Sequence, residues 1–342
     1  MGPDGGWLSG GVLDAAERWS GGRQAWLPAV GTAVAVTFLS ASLGTLFSRG
    51  ETAQVEACEG QEHSRDMSGS DIVEYCAKRA GTAPVVSYSG ILAPERWVFG
   101  PLGTLIALVW GLTFLLVHGS LQRLADEAWA RKREGRGGRS EGDGQGEGEG
   151  EGEGEGEKVQ DEGEVGRPAI AEMATMEPLV CVLVPTLLIV VWVSLGMNYV
   201  VHIFAAVVFF LMSIFFIYLT MLAQTVILDM AQGAEEAEDA EGGEPSDAAV
   251  FPSRGFISSR NFKFWVLCTL VAVSVPVSIV AGLMYFDLVP GWEHILGPMQ
   301  YSWILTMLLG SASMTFEIRD AARLKVAREE DTPVPPLAGN HV

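Results

Sequence analysis

The chain has 342 residues, 49% of them hydrophobic, and a formal net charge of −20. One soluble domain does not combine these values easily, because charge and apolar surface would compete for the same exterior. With 42 acidic against 22 basic side chains, the balance also argues against a polyanionic partner, so no nucleic acid is expected.

The conflict dissolves once charge and apolarity are seen to be segregated. Six apolar runs occur, at residues 26–47, 97–118, 178–196, 200–228, 264–286 and 297–316, and none contains Asp, Glu, Lys or Arg. They are 19 to 29 residues long, and a helix needs about 20 residues to cross a hydrocarbon core. Buried helices of a soluble bundle would carry a polar face, which these lack. The expectation is an all-α fold: a polytopic membrane helical bundle with six transmembrane helices.

Orientation follows from the basic residues, all of which lie outside the runs. If the N-terminus is cytosolic, the cytosolic segments hold seventeen of the 22 Lys and Arg residues. The cluster Arg123, Arg131, Lys132, Arg133, Arg136 and Arg139 lies just beyond the second run, where the positive-inside rule weighs most. Both termini are therefore expected in the cytosol. The non-spanning segments are then a cytosolic N-terminus at 1–25, a lumenal loop at 48–96, a cytosolic acidic loop at 119–177 and a second at 229–263. A short lumenal loop at 287–296 and a cytosolic tail at 317–342 complete the chain.

Residues 1–25 carry no cleavable-signal pattern, so the first span is expected to act as its own insertion signal. Within it Ala33, Thr37, Ala41 and Thr45 recur every four residues. Such a small-residue stripe suits close helix contact, and it also arises by chance in an Ala-rich helix. The lumenal loop contains Cys58 and Cys76. In an oxidising compartment a disulfide between them is one reading, free thiols are another, and a metal site with His63 a third.

After the second span, Leu121, Leu124, Ala125, Ala128 and Trp129 recur at helical spacing with basic residues beside them. This pattern predicts a short helix lying at the membrane surface, its cations near anionic headgroups. The Gly-Glu repeat at 146–157 follows. A segment of that composition cannot bury enough apolar surface to fold and is expected to be a solvated spacer or an acidic interaction segment. Together the two acidic loops hold 24 of the 42 acids, which accounts for the net charge without a basic ligand. Protein partners, if any, are expected through these loops.

Pro185 in the third span and Pro276 in the fifth remove backbone donors and are expected to kink their helices. His202 opens the fourth span. In the sixth, Ser302, Thr306 and Gly310 share a face with Ser313 adjacent, a pattern suited to helix packing. Ionisable groups inside the spans, the usual mark of an ion pathway, are missing except for His118 and His202 near span ends. The sequence contains no H-E-x-x-H, C-x-x-C or P-loop. No enzyme activity, catalytic residue, metal or cofactor is expected.

The stretch 84–100, PVVSYSGILAPERWVFG, organises the chain. It leads from the lumenal loop into the second span through a Gly turn and the Pro94-Glu95 restart signal. It resembles the corresponding loop of the damage-regulated autophagy modulator (DRAM) family, within a wider superfamily that includes post-GPI-attachment lipid-remodelling factors. Ser87, Gly90, Pro94, Glu95 and Phe99 occupy the shared positions. The six spans, His202 at the start of the fourth and Trp303 in the sixth are similar too. Tyr88, Ile203 and Ser302 depart from the family pattern, standing where acidic residues are common.

The resemblance implies a multi-pass endomembrane protein acting non-enzymatically through membrane lipids or partner proteins. The lysosome or vacuole is the expected site. The alternative it allows is a GPI-anchor lipid-remodelling factor of the ER–Golgi, which Cys76 shortly before the motif favours.

Overall fold

The computed structural model describes residues 23–48, 95–142, 176–193, 197–240, 252–285 and 293–331. Every regular element among the described residues is helical. After a 3-10 turn at Arg23–Trp26 come α1 (Leu27–Ser48), α2 (Glu95–Gly142), α3 (Met176–Trp192), α4 (Tyr199–Ala240), α5 (Arg254–Tyr285), α6 (Glu293–Ser313) and α7 (Thr315–Asp331). Among the described residues each apolar run lies on or directly beside one rod, with α6 and α7 forming a single rod broken at Met314.

Helices α1, α2, α4, α5 and α6 form a closed ring in which each packs on the next, and α6 returns to α1. Helix α3 lies in the groove between α2 and α4. Aromatic rings bridge the bundle. Trp110 of α2 stacks on Phe209 of α4 with centroids 6.0 Å apart, and Phe210 stacks on Trp303 of α6 at 4.2 Å. Such offset pairs add specific attraction to the area they bury.

Glycines let the backbones approach where ridges would otherwise collide. A Cβ on Gly103 of α2 would stand 2.6 Å from Val191 Cγ2 of α3, and one on Gly111 would stand 2.6 Å from Val184 Cγ2. The α3–α4 hairpin is capped by Asn198, whose Oδ1 accepts from the Val201 backbone N–H at 3.0 Å. Ser253 caps α5 in the same way, its Oγ accepting from the Phe256 N–H at 3.2 Å.

Helices α2, α4 and α5 contain stretches long and apolar enough to cross a membrane, at Trp97–Arg133, Val200–Gly233 and Arg254–Pro276. Leu27–Thr37 and Met176–Trp192 are shorter apolar helices. The outward face of α4 is a continuous apolar strip of Val200, Phe204, Val207, Leu211, Phe215 and Tyr218, with Phe204 69% exposed. A water-soluble monomer does not leave such a strip uncovered, and hydrocarbon is the medium it suits.

Two expectations change, and a third, the packing face of α6, is met in part. The segment after the second span is not a separate surface helix, because α2 continues unbroken to Gly142. Leu121, Leu124, Ala125 and Ala128 are buried within the protein rather than turned to lipid. Periodicity identified the apolar face; it could not say whether lipid or protein covers it. In α1, Ala33 and Thr37 face outward while Gly31 and Ala35 are buried, so over its first half the inward surface of this helix is not the expected stripe. The side chains of Ala41 and Thr45 lie outside the described residues. Of the α6 stripe, Gly310 and Ser313 are buried and Ser302 is exposed. Pro185 lies inside α3 and Pro276 inside α5, and both helices continue past the proline.

Candidate functional site

At the end of the bundle where α7 packs on α2, α5 and the 3-10 turn, polar side chains converge in the interior. Lys263 is the tenth residue of α5, just ahead of the apolar run at 264–286, and Glu317 lies one residue beyond the run at 297–316. Helix α5 reaches back to Arg254, which carries Lys263 inside the packed region. Both side chains are fully buried, and Lys263 Nζ meets Glu317 Oε1 at 2.5 Å.

Two further groups complete the arrangement. Ser259, one turn before Lys263, places its single Oγ–H between two acceptors, Glu317 Oε1 at 2.8 Å and the Ser313 carbonyl at 3.1 Å. It also accepts from Lys263 Nζ at 2.6 Å. Gln224 of α4 donates from Nε2 to Glu317 Oε1 at 2.5 Å and to the Phe256 carbonyl at 3.4 Å. One carboxylate oxygen of α7 therefore receives donors from α4 and α5 together. Charge-assisted bonds of this kind are about twice as strong as neutral ones. A buried pair repays the cost of leaving water only when such extra bonds are present.

Asp320 follows one turn after Glu317 and is also buried. Burial holds its carboxyl above the ordinary carboxylate range, opposed by Ser253 and by the charges of Arg319 and Arg323. His118 is fully buried on α2, with the Glu177 carboxylate near enough to act on it electrostatically.

The residues singled out from sequence are placed differently. His202 is buried at the far end of the bundle, and its Nδ1 lies 2.6 Å from the Val193 carbonyl. A carbonyl only accepts, so Nδ1 carries the proton and the ring ties the start of α4 to the end of α3. Trp303 is half-buried and stacked on Phe210. Glu95 opens α2, and Phe99, in its second turn, is buried in the core. Ser87, Gly90 and Pro94 lie outside the described residues, as do Cys58, His63 and Cys76. The Gly-Glu repeat at 146–157 also lies outside them. Cys181 and Cys268 are free and exposed. Among the described residues no three His, Cys, Asp or Glu side chains group as metal ligands.

Lys263, Glu317 and Gln224 were not singled out from sequence. Two of them flank apolar runs, where charged residues are ordinary, and Gln224 is a single amide within a run. The available signal was a charge immediately before one span and an opposite charge immediately after the next.

The family model described as Frag1/DRAM/Sfk1/Cwh43P N-terminal domain matches residues 24–321. The chain belongs to this family. The match begins in the 3-10 turn ahead of α1 and ends in α7 just past Asp320. The buried ion pair and all six rods up to residue 321 of α7 therefore lie within the family domain. The resemblance drawn from the loop at 84–100 agrees with it. No curated protein and no solved structure matches the chain. The family and the apolar helices together make this an integral membrane protein of the DRAM-like or Cwh43-like kind.

Proposed function

We propose that this protein is a six-span endomembrane protein that acts without catalysis, through contacts with membrane lipids or partner proteins, in the manner of the autophagy modulators. Both termini face the cytosol, and the lysosomal or vacuolar membrane is its site of action. The observation that carries the non-catalytic part is the use made of the buried polar groups. Lys263, Ser259, Gln224 and Glu317 Oε1 bond to one another at helix contacts and are fully or almost fully buried. Groups engaged in this way hold helices together. A catalytic group has to meet substrate. His202 is likewise committed to a backbone carbonyl.

The test uses the family loop. Changing Pro94 and Glu95 together to Ala should abolish autophagic flux supported by the protein while insertion and topology survive. Full flux in that variant rejects the reading. Tagged protein in starved cells should concentrate at lysosomal or vacuolar membranes.

A second reading is favoured by Cys76, which stands shortly before the loop motif as in the GPI-remodelling branch. On that reading the protein resides in the ER–Golgi, and its loss alters the lipid moiety of GPI-anchored proteins. Unchanged anchors in cells lacking the protein reject it.

A further inference from the structure

The last rod is broken at one place, and its fastenings surround the break. Ser311 Oγ donates to the Met307 carbonyl at 3.1 Å and Ser313 Oγ to the Gly310 carbonyl at 2.6 Å. Serines bonding back onto the helix compete with its ladder and bend it. The Met314 N–H accordingly reaches the Ser311 carbonyl, at 3.1 Å, in a three-residue turn. On the far side of the break, Glu317 of α7 is held by Lys263 and Ser259 of α5 and by Gln224 of α4. Ser259 Oγ also reaches the Ser313 carbonyl at the end of α6. Gly255 lies so close that a Cβ there would stand 2.8 Å from Phe316 Cδ1.

All the donors reach Glu317 Oε1, while Oε2 and the Gln224 Oε1 atom meet no partner among the described residues. Thr315 Oγ1 and Arg319 Nε, also in the first two turns of α7, are buried without a partner there as well. Buried polar atoms are normally satisfied, and these exceptions cluster where α7 seats against its neighbours. The seat thus combines a buried ion pair and the apolar packing of Ile318 and Ala321 with incompletely matched polar surface. A buried ion pair beside a helix break is the arrangement of a catch beside a pivot.

We propose that α7 is a hinged arm, with Met314 its pivot and the Lys263–Glu317 ion pair its catch. Closed, the arm covers the end of the bundle and packs on α2 and the 3-10 turn before α1. Open, it uncovers the Lys263 ammonium and the Gln224 amide, and releases the start of α1 from the last rod. The position of a helix outside the apolar layer is thereby coupled to contacts among α1, α4 and α5 within it.

Hydrogen–deuterium exchange of the full-length protein in lipid nanodiscs tests this. Lys263→Met should accelerate exchange of backbone amides 315–327 at least tenfold, with 200–228 of α4 unchanged. The double variant Lys263→Met with Glu317→Met, which refills the site with apolar volume, should return exchange toward the wild-type rate. Unchanged exchange at 315–327 in Lys263→Met overturns the catch. Equal acceleration through α4 and α5 overturns the hinge, because the pair would then brace the whole fold. If Lys263→Met does not accumulate, Glu317→Gln carries the same comparison. That variant preserves the side-chain volume and removes the charge, and unchanged exchange in it overturns the catch equally.

Discussion

Lys263 and Glu317 stand 54 positions apart in the chain, yet their side chains meet at 2.5 Å, both fully buried. The contact joins the first third of α5 to the first turn of α7. It makes a charged pair part of the interior of a bundle whose apolar runs contain no charge. Removing one partner leaves the other buried and uncompensated, which costs about 3–5 kcal/mol. Lys263→Ala should therefore lower the thermal unfolding midpoint in detergent strongly, followed by tryptophan fluorescence. Replacing both residues by Met should cost far less, because an apolar pair of similar volume is often neutral or stabilising. Equal losses in the single and double variants would mean that the ion pair contributes nothing specific.

The α2–α3 contact depends on the missing Cβ of Gly103, which would approach Val191 Cγ2 to 2.6 Å and Cγ1 to 2.8 Å. The valine is branched at that point and cannot swing away as a long flexible chain would. Gly103→Ala should destabilise the protein by about 1–3 kcal/mol, the usual cost of overpacking. Adding Val191→Ala should recover part of that loss. A melt showing no recovery would place the strain elsewhere.

His202 closes the α3–α4 hairpin through Nδ1–H and the Val193 carbonyl. In His202→Ala that contact disappears and the carbonyl loses its partner, at a cost of about 1–3 kcal/mol. The loss should register in circular-dichroism melts. His202→Asn, which retains a short donor, should fall between wild type and Ala. Wild-type stability in the Ala variant would remove the hairpin role.

Asp320 gives a pH dependence of known sign. Its carboxyl lies above the ordinary value because burial disfavours the charged form. The folded state thus holds the proton more tightly than the unfolded chain, whose Asp titrates near about 3.9. This contribution to stability is fully present below that unfolded value and is lost as pH rises through the raised folded value. Asp320→Asn removes the titration. Its unfolding midpoint should gain on wild type as pH rises from about 4 toward neutrality, when both are followed by thermal melts across that range. A constant difference across the range would rule out Asp320 as the titrating group.

The family assignment and the helical rods were legible in the residues themselves. The run at 200–228 falls wholly within α4, and the run at 178–196 overlaps α3 over residues 178–192. The loop at 84–100 resembles that of the family, and the family match at 24–321 includes it. Less legible was the continuation of α2. The face of Leu121, Leu124 and Ala128 was correctly found to be apolar, but its cover is protein. A helix presents the same periodicity to lipid as to a neighbouring helix, so local pattern does not separate the two.

Hydropathy accumulates along the chain one residue at a time, which is why a stretch such as 200–228 announces its own apolar environment. Whether Lys263 meets Glu317, or Gly103 meets Val191, depends on the rotation and register of separate helices. Those are fixed by close packing between surfaces distant in the chain. Segment type and sequence family were therefore written locally. The closed ring, the buried ion pair and the break at Met314 beside its fastening became visible only once the helices were assembled.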